Sequence, residues 1–169
     1  MKTYLIIALL ALVTLTSAMQ DKEQKSKREL RAERKANIAE KVDSMINGRE
    51  LTFIARSANP VGWSTIQLTS EYDLKMNGDS VEVYLPFYGR AYQADYNSTE
   101  GGIKLEALAE DYQVIHKKGQ YNIRFNAKAK NDLYRFHLTV SPTGYASLSV
   151  ISNNRQSINF NGILNELGI

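Results

Sequence analysis

The chain has 169 residues, 43% of them apolar and 23% charged, which fits one folded domain with a real core and leaves little room for two. It contains no cysteine, so disulfides, a thiol nucleophile and anchoring through a lipid-modified cysteine are excluded. The formal charge is only +3, and the basic residues gather mainly in one early segment, so charge gives no ground for nucleic-acid binding.

Residues 1–18 stand apart. Lys2 precedes the apolar run Tyr4–Val13, and Thr16-Ser17-Ala18 supplies small residues for cleavage. The pattern predicts a secretory signal peptide, because the run is shorter than the ~20 apolar residues of a membrane span and charge follows at once. Removing it leaves twenty basic against eighteen acidic residues, no transmembrane span, and a mature protein in the periplasm or outside the cell. The absence of disulfides suits a bacterial envelope protein.

Residues 19–49 read as a charged N-terminal helix. Asp21–Asn47 is rich in Lys, Arg, Glu and Ala, lacks Pro and Gly, and stops at the plausible C-cap Asn47-Gly48. Ile38, Val42, Met45 and Ile46 fall with Ala39 on one face, so the second half has a stripe to bury. Between Lys22 and Arg34 the only large apolar residue is Leu30, and the interleaved charges predict a solvated face or a tether.

From residue 50 to 169 the period changes to strict alternation. Leu51, Phe53 and Ala55 share one face of a strand; Ile66 and Leu68 support a short one; Tyr72, Leu74 and Met76 share a face of another. Asn77-Gly78 predicts a hairpin to Val81, Val83 and Leu85, and Pro86 ends that strand or puts it at an edge. A polar loop at Asn97–Gly102 contains the Asn97-Ser98-Thr99 glycosylation pattern, which would mean little in a bacterial host. Then come Ile103 and Leu105; Asp111–His116; Tyr121, Ile123, Phe125 and Ala127; Tyr134, Phe136, Leu138 and Val140; Ala146, Leu148 and Val150; and Ile158 with Phe160. Turns of two to five residues, including Ser141-Pro142-Thr143-Gly144, make these antiparallel neighbours in a meander. Polar residues such as Arg124 and His137 alternate with the apolar ones and leave one face wet. Eight or nine such strands favour a mainly β fold, a barrel or strongly curved sheet with the late half of the helix packed on it; a two-sheet sandwich is the alternative.

No catalytic motif stands out. His116 and His137 lie on separate strands without metal-ligand spacing, no Gly-x-Ser-x-Gly elbow or phosphate loop occurs, and Gly101-Gly102 reads as a turn. The chain is expected to be no enzyme, with no catalytic residue, metal or cofactor. Tyrosine is the unusual component, ten against five Phe and one Trp, and Tyr84, Tyr88, Tyr92 and Tyr96 fall within thirteen positions. Tyr is a good strand residue, which accounts for most of them, but the density around Arg90 marks Phe87–Tyr92 as the candidate site. Tyr88, Arg90 and Tyr92 are the candidate ligand contacts, since Arg offers a planar fork of donors and Tyr a stacking face. The competing reading is architectural, with Arg90 donating to neighbouring carbonyls and Gly89 serving a bulge.

Ala55-Arg56-Ser57-Ala58-Asn59-Pro60, then Gly89-Arg90-Ala91-Tyr92, then Ile151-Ser152-Asn153-Asn154-Arg155, together resemble the bacterial family called domain of unknown function 4251, of which the Gly-Arg-Ala-Tyr stretch is the hallmark. The resemblance covers nearly the whole chain. It implies an exported envelope protein of anaerobic gut bacteria with a lipocalin-like barrel, and brings no activity, substrate or catalytic residue. Two functions are therefore expected: a small module binding an anionic or sugar-like ligand, or a structural or protein-interaction component of the envelope whose partner is an envelope protein.

Overall fold

The computed structural model describes residues 26–92, 101–130 and 132–165. The expected signal peptide, Tyr96 and the Asn97-Ser98-Thr99 pattern lie outside the described residues. Among the described residues one helix, α1 (residues 26–48), precedes nine strands: β1 (Glu50–Pro60), β2 (Ile66–Asn77), β3 (Ser80–Leu85), β4 (Ile103–Leu108), β5 (Glu110–Lys117), β6 (Gln120–Lys128), β7 (Leu133–Val140), β8 (Tyr145–Ser152) and β9 (Ile158–Leu164). All pairings are antiparallel, in the order β4-β3-β2-β1-β9-β8-β7-β6-β5.

The two strands at the ends of that order are adjacent in sequence. Only Ala109 separates β4 from β5, so the chain runs on in one direction, first bonded to β3 from Ile103 to Leu108 and then to β6 from Glu110 to Lys117. One long bent run thus bridges both edges, and the sheet becomes a nearly closed barrel. Closure removes most of the unpaired edge that a nine-stranded open sheet would expose.

Alternation decides what fills it. Phe53, Leu74, Val83, Leu105, Ile123, Phe136, Leu148 and Phe160 point inward from eight of the strands and are buried. Each such side chain stabilises by about 1.5–3 kcal/mol on burial. Phe125 and Phe136 stack across β6 and β7 with ring centres 5.0 Å apart. Gly162 packs so closely that a Cβ there would lie 1.9 Å from the Ile54 carbonyl oxygen, beside the β1 bulge at Arg56.

Residues 38–169 form one compact unit, so the second half of α1 belongs with the sheet. Val42 and Ile46 are buried, Ile38 and Met45 pack on the core, and the Tyr121 hydroxyl at the start of β6 donates to Asp43 at 2.6 Å. The half-helix closes the end of the barrel that carries the β2–β3 and β5–β6 turns. In the first half Leu30 is exposed, as its charged surroundings predict.

Three local expectations shift. Ile66, Leu68 and Tyr72–Met76 belong to a single strand, β2, because Leu68–Glu71 lies opposite the β1 bulge and bends without losing strand conformation. Asn77 pairs with Ser80, so the hairpin turn is Gly78-Asp79 and only Gly78 takes positive φ. Gly48 stays helical, and the left-handed residue after α1 is Arg49, whose amide donates to the Ile46 carbonyl and whose own carbonyl accepts from Gly78. Lys118-Gly119, both at positive φ, forms the type I′-like turn between β5 and β6, and Gly144 is left-handed after Pro142 as the turn chemistry requires.

Candidate functional site

Pro86 lacks an amide hydrogen and β3 stops just before it. The chain then leaves the sheet and strides across the open end of the barrel to the β8–β9 turn, three strands away in the sheet order. Ala91 bridges Arg155; the Tyr92 amide donates to the Asn154 carbonyl at 2.7 Å and the Gln156 amide to the Arg90 carbonyl at 2.9 Å. The Arg90 amide also reaches the Gln156 side-chain oxygen at 3.3 Å. Pro86 is buried, and Phe87 and Tyr88 pack on the core, so this strap closes one barrel end as the half-helix closes the other.

The landing point is itself fixed. Asp132 accepts from the Ser152 hydroxyl at 2.5 Å, the Asn153 amide at 3.0 Å and the Leu133 amide at 2.8 Å, tying the β6–β7 and β8–β9 turns together. The Ser152 oxygen in turn accepts from the amides of Asn154 and Arg155. Arg155 donates to the Gly102 carbonyl at 3.0 Å and lies over the Phe87 ring at 5.3 Å. The carbonyl-binding role foreseen for Arg90 is thus filled by Arg155, which is half-buried where Arg90 is exposed. Sequence reading missed Arg155 because its distance to Gly102 is set by the strap and not by any local period.

The candidate contacts divide. Tyr88 is half-buried against the core, whereas Arg90 is exposed and Tyr92 is 68% exposed. Backbone contacts hold Arg90 and Tyr92, so both side chains are presented to solvent from a fixed main chain. A groove of about 280 Å³, which Arg90 and Tyr92 do not line, is walled by Tyr72, Tyr84, Phe87, Gly102 and Lys104. The rings of Tyr72 and Tyr84 meet at 5.4 Å, and the Lys104 ammonium sits 4.8 Å from the Tyr84 ring centre. In the sequence Tyr84 is indistinguishable from an ordinary strand tyrosine, because alternation along β3 is unbroken there.

Little else gathers for chemistry. Among the described residues no three His, Cys, Asp or Glu side chains come together to hold a metal ion. His116 stacks on Tyr121 at 4.4 Å. His137 stands opposite Arg124, and burial, helped by that guanidinium, holds its pKa below the ordinary value. Burial pushes the Tyr112 hydroxyl up, partly offset by the Arg49 guanidinium 4.3 Å from its ring. No helix among the described residues is long and apolar enough to cross a membrane.

Comparison with known proteins agrees with this architecture. The chain resembles a crystal structure of a DUF4251 family protein from Bacteroides eggerthii, with a TM-score of 0.60 and 16% sequence identity, covering 76% of this chain and 87% of that one. At that identity the likeness is one of fold. A comparison with curated proteins finds no match. Residues 33–164 match the model of the family described as Domain of unknown function (DUF4251). Because that match spans most of the sequence, the chain belongs to the DUF4251 family.

Proposed function

We propose that the protein is an exported, non-catalytic binding module that takes a small anionic or sugar-like ligand on its outer surface, in the groove beside the strap. The observation that carries this reading is the pairing of a core filled by its own side chains with an aromatic and cationic groove outside it. Among the described residues the inward side chains are buried against one another and leave no internal site of the lipocalin kind, so recognition falls to the surface. Tyr72 and Tyr84 bring aromatic rings to the groove wall for a sugar and Lys104, over the Tyr84 ring, brings positive charge for a carboxylate or phosphate, while Arg90 and Tyr92, exposed on the strap outside the groove lining, supply a separate pair of contacts. The groove lies near the lower end of the range for small-molecule sites, about 300 Å³, which fits one sugar unit better than a large cofactor. The signal-like residues 1–18 support export to the periplasm or beyond.

The test is NMR titration of the mature chain with glucuronate, galacturonate and glucose to about 10 mM, the range in which weak sugar sites saturate. Shifts confined to Tyr84, Phe87, Lys104 and Arg90, weakened by Tyr84→Ala and by Arg90→Ala, are expected. Absence of localised shifts with all three sugars would reject the reading. In that event the second reading, a structural or protein-interaction component of the envelope, takes precedence, and the filled barrel with its exposed β5 is what favours it.

A further inference from the structure

β5 is built unlike the other strands. Every residue from Glu110 to Lys117 except Tyr112 is exposed, and Val114 and Ile115, on opposite faces, remain 39% and 50% exposed. One edge of β5 is bonded to β6, with regular register from Gln113 to Lys117. On its other edge no strand lies among the described residues, because β4, which precedes it, pairs only with β3. A β-branched pair on an open edge is a template for another strand.

The charges along this edge select which strand. Glu110 and Asp111 stand at its beginning and His116, Lys117 and Lys118 at its end. A parallel copy would set like charges side by side, whereas an antiparallel copy sets each acidic end against a basic end. We propose that β5 is a homodimer interface, on which a second copy of this chain adds its own β5 antiparallel across a twofold axis at Val114. That register places Val114 opposite Val114, Gln113 opposite Ile115, and the Glu110-Asp111 end of each copy beside Lys117-Lys118 of the other. An even register of this kind also keeps the faces continuous, so the inner face of one sheet runs on into the inner face of the next.

Existing contacts leave the acidic end available. Glu110 pairs with Lys128 at 2.7 Å and Asp111 accepts from Asn126 at 2.9 Å, both within the same sheet and both exposed, and each carboxylate keeps lone pairs for a second donor. Asp111 takes positive φ, which ends the regular ladder there and, with the axis at Val114, limits the shared segment to Tyr112–His116. Lysines and a bulge are also the devices that keep edges apart, but here their signs are segregated along the strand and only one orientation of a copy is repelled.

The experiment is sedimentation equilibrium of the mature chain, with amide exchange on the same samples. A reversible dimer is expected, with new protection of those amides between Tyr112 and His116 that point away from β6, and weakening as salt rises. K117E/K118E, which repels itself across the axis, is expected to weaken self-association about tenfold or more, with a melting temperature equal to wild type at concentrations low enough that both are monomeric. Mixing it with E110K/D111K should restore association between the two variants. A wild-type chain that stays monomeric at about 0.5 mM overturns the proposal, as does a dimer whose β5 amides stay unprotected or which K117E/K118E leaves intact. The outcome is independent of what the groove binds.

Discussion

Arg155 and Arg90 stand one bridge apart and have opposite relations to the fold. Arg155 spends its guanidinium on the Gly102 carbonyl and the Phe87 ring, so Arg155→Ala leaves a partly buried acceptor without its donor. A loss of about 1–2 kcal/mol is expected in urea unfolding. Arg90 is exposed and joined through its backbone, so Arg90→Ala is expected to stay within about 0.5 kcal/mol of wild type. If instead Arg90→Ala proves the more damaging, the side chain is architectural and the rim assigned to it in ligand binding is lost. The two arginines look alike in sequence, each flanked by small or polar residues at a strand end. Only the path of the strap across the barrel end distinguishes them.

Among elements, α1 changes character along its length. Its apolar residues cluster after Ile38, and the structure buries that face through Val42 and Ile46 while Leu30 remains in solvent. Ile46→Ala is expected to cost about 2–4 kcal/mol by cavity formation, and Leu30→Ala to fall within about 0.5 kcal/mol. Equal effects in thermal or urea melts would mean that the half-helix does not hold the barrel end closed. This element was legible because helical periodicity is local. The turns were legible for the same reason, with Pro142-Thr143-Gly144 placed correctly and Asn77-Gly78 displaced by one residue. The displacement arises because the inward faces of β2 and β3 fix their pairing at Leu74–Val83 and Met76–Val81, which leaves Asn77 in the ladder.

For the whole molecule the decisive feature is that the described inward side chains fill the barrel themselves. A lipocalin-type barrel that holds a ligand brightens an apolar fluorescent probe; this one, with Phe53, Phe136 and Phe160 fully buried in its core, is expected to leave such a probe unchanged until it unfolds. A saturable rise in emission from the native protein would show that the core opens. The sequence by itself determined the class of fold, the antiparallel meander, the identity of the inward residues and the buried half of α1, since period-2 and period-3.6 patterns are written in neighbouring residues. Phe87–Tyr92, the segment singled out from sequence, runs from the end of β3 to backbone contacts with the β8–β9 turn. Its contacts with Asn154, Arg155 and Gln156, the bridging of both sheet edges through Ala109, the groove between Tyr84 and Phe87 and the exposed edge of β5 were decided only by the tertiary structure. Each depends on which strands meet across a curved sheet, and the stagger that sets those meetings is a property of the closed barrel as a whole.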